Sequence, residues 1–97
     1  MMLSKRMEIK SLSNQLLRSG TSIGANVEEA DGARTRKEFG NKMTIARNEA
    51  KEAKYWLNLI IDSEIINNHQ NIIKAKAMIS ECDELIRILS AIIGKIE

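Results

Sequence analysis

Hydrophobic and small residues recur at steps of three and four along three long stretches of the chain. This spacing keeps side chains on one face of an α-helix, whereas a half-buried strand would alternate every second residue. The three stripes are Ile9, Leu12, Leu16, Gly20, Ile23, Val27 and Ala30; then Phe39, Met43, Ala46, Ala50, Ala53, Leu57 and Ile60; then Ile72, Ala75, Ile79, Cys82, Ile86, Leu89, Ile93 and Ile96. The pattern predicts three long helices, over residues 5–31, 36–63 and 68–96.

Residues that favour helix ends lie between these stripes. Gly32 is suited to a C-cap, and Thr35 followed by Glu38 fits the Ser/Thr-x-x-Glu capping box. Asn67 or Asn68 can cap the third helix. Helices of similar length joined by short connections predict an antiparallel, up-and-down bundle that forms one domain over residues 1–97.

The stretch RSGTSIGAN, residues 18–26, looks at first like a glycine-rich loop. The apolar stripe of the first helix runs through it, however, and no Lys-Ser or Lys-Thr follows Gly24 as a phosphate-binding loop requires. We therefore expect a continuous helix in which Gly20 and Gly24 permit a close helix crossing. Asn26 either hydrogen-bonds to the partner at that crossing or is solvated.

The composition supports an all-α protein without a membrane span. Proline is absent, and Phe, Tyr and Trp occur once each, whereas β-rich domains use more aromatic and turn residues. The single cysteine, Cys82, lies on the third stripe, so we expect a small core residue in a protein of the reducing cytoplasm. No apolar run reaches the length of a transmembrane helix.

Positive charge is concentrated in the middle of the chain. Residues 34–54 hold seven basic and three acidic side chains, a net charge of +4. Arg47, Lys51 and Lys54 lie on one side of the second helix, and we call them the basic flank. It is either a solvated face or a contact for RNA or DNA, whose binding would then weaken with salt. With so few aromatic residues, base stacking is not expected.

The opposite side of the second helix combines apolar and charged residues. This mixed flank contains Ile45, Glu49, Glu52, Trp56 and Leu59, and it resembles a subunit interface. Tyr55 and Trp56 are alternatively core residues. The third helix also carries more apolar surface than one seam needs, at Met78, Leu85, Ile88 and Ile92. We expect an oligomer interface that includes Ile45, Trp56, Leu59, Leu85, Ile88 and Ile92.

Residues for catalysis or metal binding are sparse. The single histidine, His69, lies in a polar connection without a second histidine or a cysteine nearby. Glu49 and Glu52 have basic neighbours, which favours salt bridges over a carboxylate metal site. We expect no enzymatic activity, no metal and no cofactor.

Two segments carry a family resemblance. SNQLLRSGTSIGANVEEA (residues 13–30) and IARNEAKEAKYWLNLI (residues 45–60) closely resemble the signatures of the four-helix-bundle proteins called 23S rRNA intervening-sequence proteins. The resemblance implies cytoplasmic bacterial four-helix bundles that assemble into ring-shaped homo-oligomers, typically pentamers. Related accessory proteins of diversity-generating retroelements work with a reverse transcriptase and nucleic acid.

The chain departs from this family at its start. Members normally have a further long helix before the QLLR motif, and here only MMLSKRMEIKSL precedes residue 13. A fragment, a start at an internal methionine and a true three-helix protein are all open explanations, and each leaves a groove that is open or filled by a neighbouring copy. We expect a homo-oligomeric assembly or accessory protein that contacts RNA or DNA through the basic flank. The alternative is a protein-binding scaffold without a nucleic-acid role.

Overall fold

The computed structural model describes residues 5–96, with side chains from Met7 onward, and consists of three α-helices. Helix α1 spans Lys5–Asp31, α2 spans Arg36–Asp62 and α3 spans His69–Ile96. No strand occurs in this part of the chain. The prediction of an all-α protein with three long helices is confirmed, and residues 18–26 are helical throughout.

Local hydrogen bonds fix where α2 and α3 begin. The Oγ1 atom of Thr35 accepts a hydrogen bond from the backbone N–H of Glu38 at 3.0 Å, and the Glu38 carboxylate accepts one from the N–H of Arg34. Thr35 is therefore the N-cap of α2, as predicted. At α3, the side-chain oxygen of Asn68 accepts from the N–H groups of Gln70 and Asn71, which makes Asn68 the cap.

The two connections differ in backbone conformation. Gly32 directly follows Asp31, the last residue of α1, at the position predicted for the C-cap, but neither it nor any other described glycine has a positive φ, so α1 does not end in a left-handed residue. The turn after α2 instead contains a left-handed residue, Glu64, with φ 56°. Its N–H donates to the carbonyl of Ile61, and the N–H of Ser63 donates to that of Leu59, which closes the end of α2.

Two clusters of buried side chains join the helices at opposite ends. At one end Ala30 from α1 packs with Met43 and Ala46 from the start of α2 and with Leu89 and Ile93 from the end of α3. At the other end the buried residues are Ala53, Leu57, Ala75 and Cys82, with Leu16 of α1 packed against them. Each cluster thus contains residues from all three helices.

Helix α2 is the central element. Both α1 and α3 pack along it, whereas no Cα atom of α1 lies within 8 Å of a Cα atom of α3 among the described residues. The α2 seam is narrow because its fully buried centre is alanine, at Ala46, Ala50 and Ala53. Ser19 of α1 is completely buried, so the closest packing of α1 falls at Ser19.

The glycines of α1 do not face α2. A Cβ atom added to Gly20 or Gly24 would meet no heavy atom within 4 Å, so none of the described helices crosses α1 closely there. Asn26 donates to the carbonyl and hydroxyl oxygens of Ser22, one turn earlier in its own helix, and not to another helix. A close crossing at Gly20 and Gly24 therefore stays a prediction for a contact with another molecule.

Candidate interaction surfaces

A groove runs between α1 and α3. One wall consists of Leu16, Gly20 and Ile23 of α1, the other of Met78, Glu81 and Leu85 of α3, and Leu57 of α2 lies in the floor. We call this the α1–α3 groove. It exists because α1 and α3 are held apart by α2 while both direct apolar residues into the space between them. Glu81 is the one acidic residue among those that line it.

Large apolar side chains stay accessible beside this groove. Leu85 is 38% exposed, Met78 41% and Ile88 49%, and on α1 the stripe residues Ile9 and Val27 are 40% and 38% exposed. Ile92, by contrast, is half-buried against the cluster around Leu89 and Ile93. Of the interface residues predicted on α3, Leu85 and Ile88 are thus more accessible than Ile92. The α1 stripe is only partly covered within one chain.

Part of the mixed flank faces α1. Arg18 of α1 contacts the carboxylates of Glu49 and Glu52 at 3.3 and 2.5 Å, and the indole N–H of Trp56 donates to Glu52 at 3.3 Å. The hydrogen bond from Arg18 and then that from Trp56 hold the pKa of Glu52 below its usual value. A second pair joins Lys42 of α2 to Glu29 at 2.7 Å. These polar contacts tie α1 to α2.

The remaining residues of the mixed flank differ in exposure. Ile45 is 42% exposed. Leu59 is half-buried and lines a shallow depression near the end of α2, together with Leu12 of α1. Trp56 is half-buried, and its ring meets that of Tyr55 edge-on with centroids 5.2 Å apart. Tyr55 is 59% exposed, so it is not a core residue.

The basic flank is turned towards α3, and its three members have different surroundings. The Lys54 ammonium pairs with the Asp83 carboxylate of α3 at 2.6 Å. Arg47 is half-buried, with its Nε atom enclosed and without a hydrogen-bond partner. Lys51 alone is exposed. Of the three basic side chains, Lys54 is therefore paired with α3, Arg47 is partly enclosed, and Lys51 is accessible.

Sequence reasoning missed a second surface on α2. Its outer face carries a polar stripe at alternating steps of four and three: Lys37, Asn41, Thr44, Asn48, Lys51, Tyr55 and Asn58. We call these residues the polar strip. The acidic residues between positions 37 and 58, Glu38, Glu49 and Glu52, fall outside it. The same periodicity that defines the apolar seam would have found the strip, had polar positions been followed as well.

The cysteine and the histidine lie far apart in the sequence and in different surroundings. Cys82 is buried, and desolvation raises the pKa of its thiol. His69 is exposed at the start of α3. No group of three or more potential metal ligands occurs among residues whose side chains are described, and none of the described helices is long and apolar enough to cross a membrane.

Comparison with known proteins places this three-helix unit in a family. The family of 23S rRNA-intervening sequence proteins matches residues 2–91. The chain belongs to this family. A structural relative is a crystal structure from Bacteroides thetaiotaomicron VPI-5482, described as a protein with unknown function from the S23 ribosomal protein family. It shares 44% sequence identity and a TM-score of 0.75, over 84% of this chain and 72% of the relative. No curated protein matches the sequence significantly.

Proposed function

We propose that this member of the 23S rRNA-intervening sequence family is a homo-oligomeric assembly or accessory protein. Its three helices run antiparallel and form part of a four-helix bundle, in which a helix of a neighbouring copy covers the α1–α3 groove. The observation that carries the proposal is this groove, an apolar surface bounded by two helices and without a covering element among the described residues.

The energetics of the groove favour association. Met78 and Leu85 line the groove, and Ile88 lies one turn after Leu85 on α3. These three side chains are between 38% and 49% exposed, and burial of this exposed surface stabilises a contact by about 1 kcal/mol per side chain. The unoccupied space over Gly20 lets a helix approach the α1 backbone closely. A ring of identical copies, such as a pentamer, repeats this contact around a closed symmetry.

Two kinds of partner suit such an assembly. The names of the family and of the family of its structural relative refer to 23S rRNA and to S23 ribosomal proteins, which supports an accessory role beside RNA or DNA. The partly accessible Ile45, Tyr55 and Trp56 favour a second candidate, a scaffold that binds another protein and no nucleic acid. If the protein has this accessory role, a reverse transcriptase is one protein that it would bind.

Light scattering tests the proposal. We expect a multimer at micromolar concentration and a lower mass for Leu85→Asp, because an unpaired carboxylate in an apolar contact is costly to bury. Ile73→Asp is the matched control: Ile73 is 53% exposed, and twelve residues of helix place it about 120° around α3 from Leu85. A folded wild-type monomer at this concentration, or equal masses for the two variants, contradicts self-association through the groove.

A further inference from the structure

The polar strip lies on the side of α2 opposite its buried seam, and at its start Lys37, Asn41 and Thr44 line a depression together with Ile93 and Ile96 of α3. Lys37, Asn41, Asn48, Lys51 and Tyr55 are exposed, and Thr44 and Asn58 are half-buried. Between Lys37 and Asn58 the strip covers 21 helical steps, which corresponds to roughly 32 Å at 1.5 Å per residue. It is therefore a long surface with hydrogen-bonding side chains along its whole length.

The strip combines two lysines with asparagine and threonine, which are weak helix formers, and contains no acidic side chain. Asparagine and threonine form helices less well than alanine, lysine or glutamate, and packing does not dictate the choice at an exposed position. The outer face of α3 differs in that it mixes basic and acidic residues, with Lys76, Glu84 and Arg87 exposed. A gain from hydrogen bonding to something outside the chain would offset the weaker helix propensity of the strip.

The side chains of the strip are available for such bonds. Lys37, Asn41, Asn48 and Lys51 make no hydrogen bond or ion pair through their side chains within the described structure. Thr44 bonds only to the carbonyl of Gly40 in its own helix. On the α3 side the strip is bordered by Arg47 and Lys54, which keeps its surroundings basic despite the pairing of Lys54 with Asp83.

We propose that the polar strip binds the sugar-phosphate backbone of a nucleic-acid duplex. Lysine supplies charge, and asparagine, threonine and tyrosine supply the uncharged donors that commonly contact phosphate and sugar oxygens. A strip of roughly 32 Å is long enough to contact several phosphates, which follow one another at about 3.4 Å of helix axis along each strand. The assignment rests on the proposed accessory role and moves the contact from the basic flank to the outer face of α2, with Lys51 shared by both.

Two pairs of substitutions separate the contributions of charge and hydrogen bonding. The probe is a 24-base-pair RNA duplex of arbitrary sequence, with the DNA duplex in parallel, titrated across a salt series. Lys37→Gln with Lys51→Gln should lower affinity at least tenfold at low salt. This pair should also flatten the salt slope by about 0.9 per lysine and per chain engaged, because each lysine displaces counterions from a phosphate.

Asn41→Ala with Asn48→Ala should lower affinity at least threefold at an unchanged salt slope. The same pair should raise Tm, since alanine is the better helix former. A surface that is only solvated would show the rise in Tm without the loss of affinity. Asn14→Ala and Lys76→Gln are matched controls at exposed helical positions outside the strip, and both should bind like the wild type.

The outcomes separate this inference from self-association. A multimer that binds neither duplex at low salt, or whose affinity survives either pair of substitutions, overturns the inference and leaves the proposed oligomer standing. Strip variants that change the mass in light scattering and not duplex binding also overturn it, because they identify a protein contact instead. A monomeric wild type whose duplex binding depends on both pairs supports the strip and contradicts the proposed oligomer.

Discussion

Replacement of Gly20 and Gly24 by alanine should stabilise an isolated chain. Both glycines lie within α1, and an added Cβ at either position has no heavy atom within 4 Å. The new methyl groups therefore create no clash inside the chain. The substitution removes only the conformational freedom that glycine has in the unfolded state.

The size of the effect follows from helix propensity. Alanine is more favourable than glycine by about 1 kcal/mol per helical residue, so the pair should contribute about 2 kcal/mol. For a domain of this length each kcal/mol corresponds to a Tm change of about 4–8 °C, so the expected rise is about 8–16 °C. Ser19 provides the contrast one residue away. It is completely buried, and Ser19→Leu should lose about 1–3 kcal/mol through overpacking.

Thermal unfolding followed by circular dichroism, over a range of protein concentrations, measures both effects. Under dilution that gives monomers, the alanine pair should melt above the wild type and Ser19→Leu below it. If another molecule crosses α1 closely at the glycines, the gain should shrink or reverse at concentrations where multimers form. A lower Tm for the alanine pair in the monomer would show that the space over these glycines is occupied within the chain, and would refute the reasoning.

Two further predictions concern the turn after α2 and the contact between α1 and α2. Glu64→Gly should stabilise the fold by about 1 kcal/mol in urea denaturation, because glycine adopts φ 56° without the Cβ strain, whereas Ser63→Gly at φ −81° should not. The lowered pKa of Glu52 means that its ion pair stabilises the fold above the unfolded-state pKa of about 4.3 and that this stabilisation is lost as pH falls through the folded-state pKa. The Tm difference between wild type and Glu52→Gln should therefore be constant above about pH 5 and shrink below about pH 4; a difference independent of pH down to pH 2 would exclude this ionic contribution.

Local features of the fold could be predicted from the sequence because their causes are local. Thr35 and Asn68 bond to N–H groups two or three residues ahead, so the residues themselves reveal the caps. The alanine seam of α2 follows from periodicity in the same way. The left-handed conformation of Glu64 could not be predicted, because glycine favours that conformation and glutamate does not.

The relation of each flank to its neighbours could not be predicted. Periodicity identifies which face of α2 is buried, but it does not say which helix covers each edge of that face. Consequently the pairing of Arg18 with Glu49 and Glu52 depends on where α1 packs against α2. The pairing of Lys54 with Asp83 depends in the same way on the position of α3. For the same reason the close approach was expected at Gly20, whereas the completely buried residue is Ser19.

The central position of α2 has a consequence for how the chain reaches its folded state. Since the α1 and α3 backbones approach α2 and not each other, tertiary contacts form mainly between helices that follow one another along the chain. Such sequence-local contacts close short loops and are typical of helical proteins that fold in microseconds to milliseconds. Either helical hairpin, α1–α2 or α2–α3, can form first, and the third helix then adds to a surface that already exists.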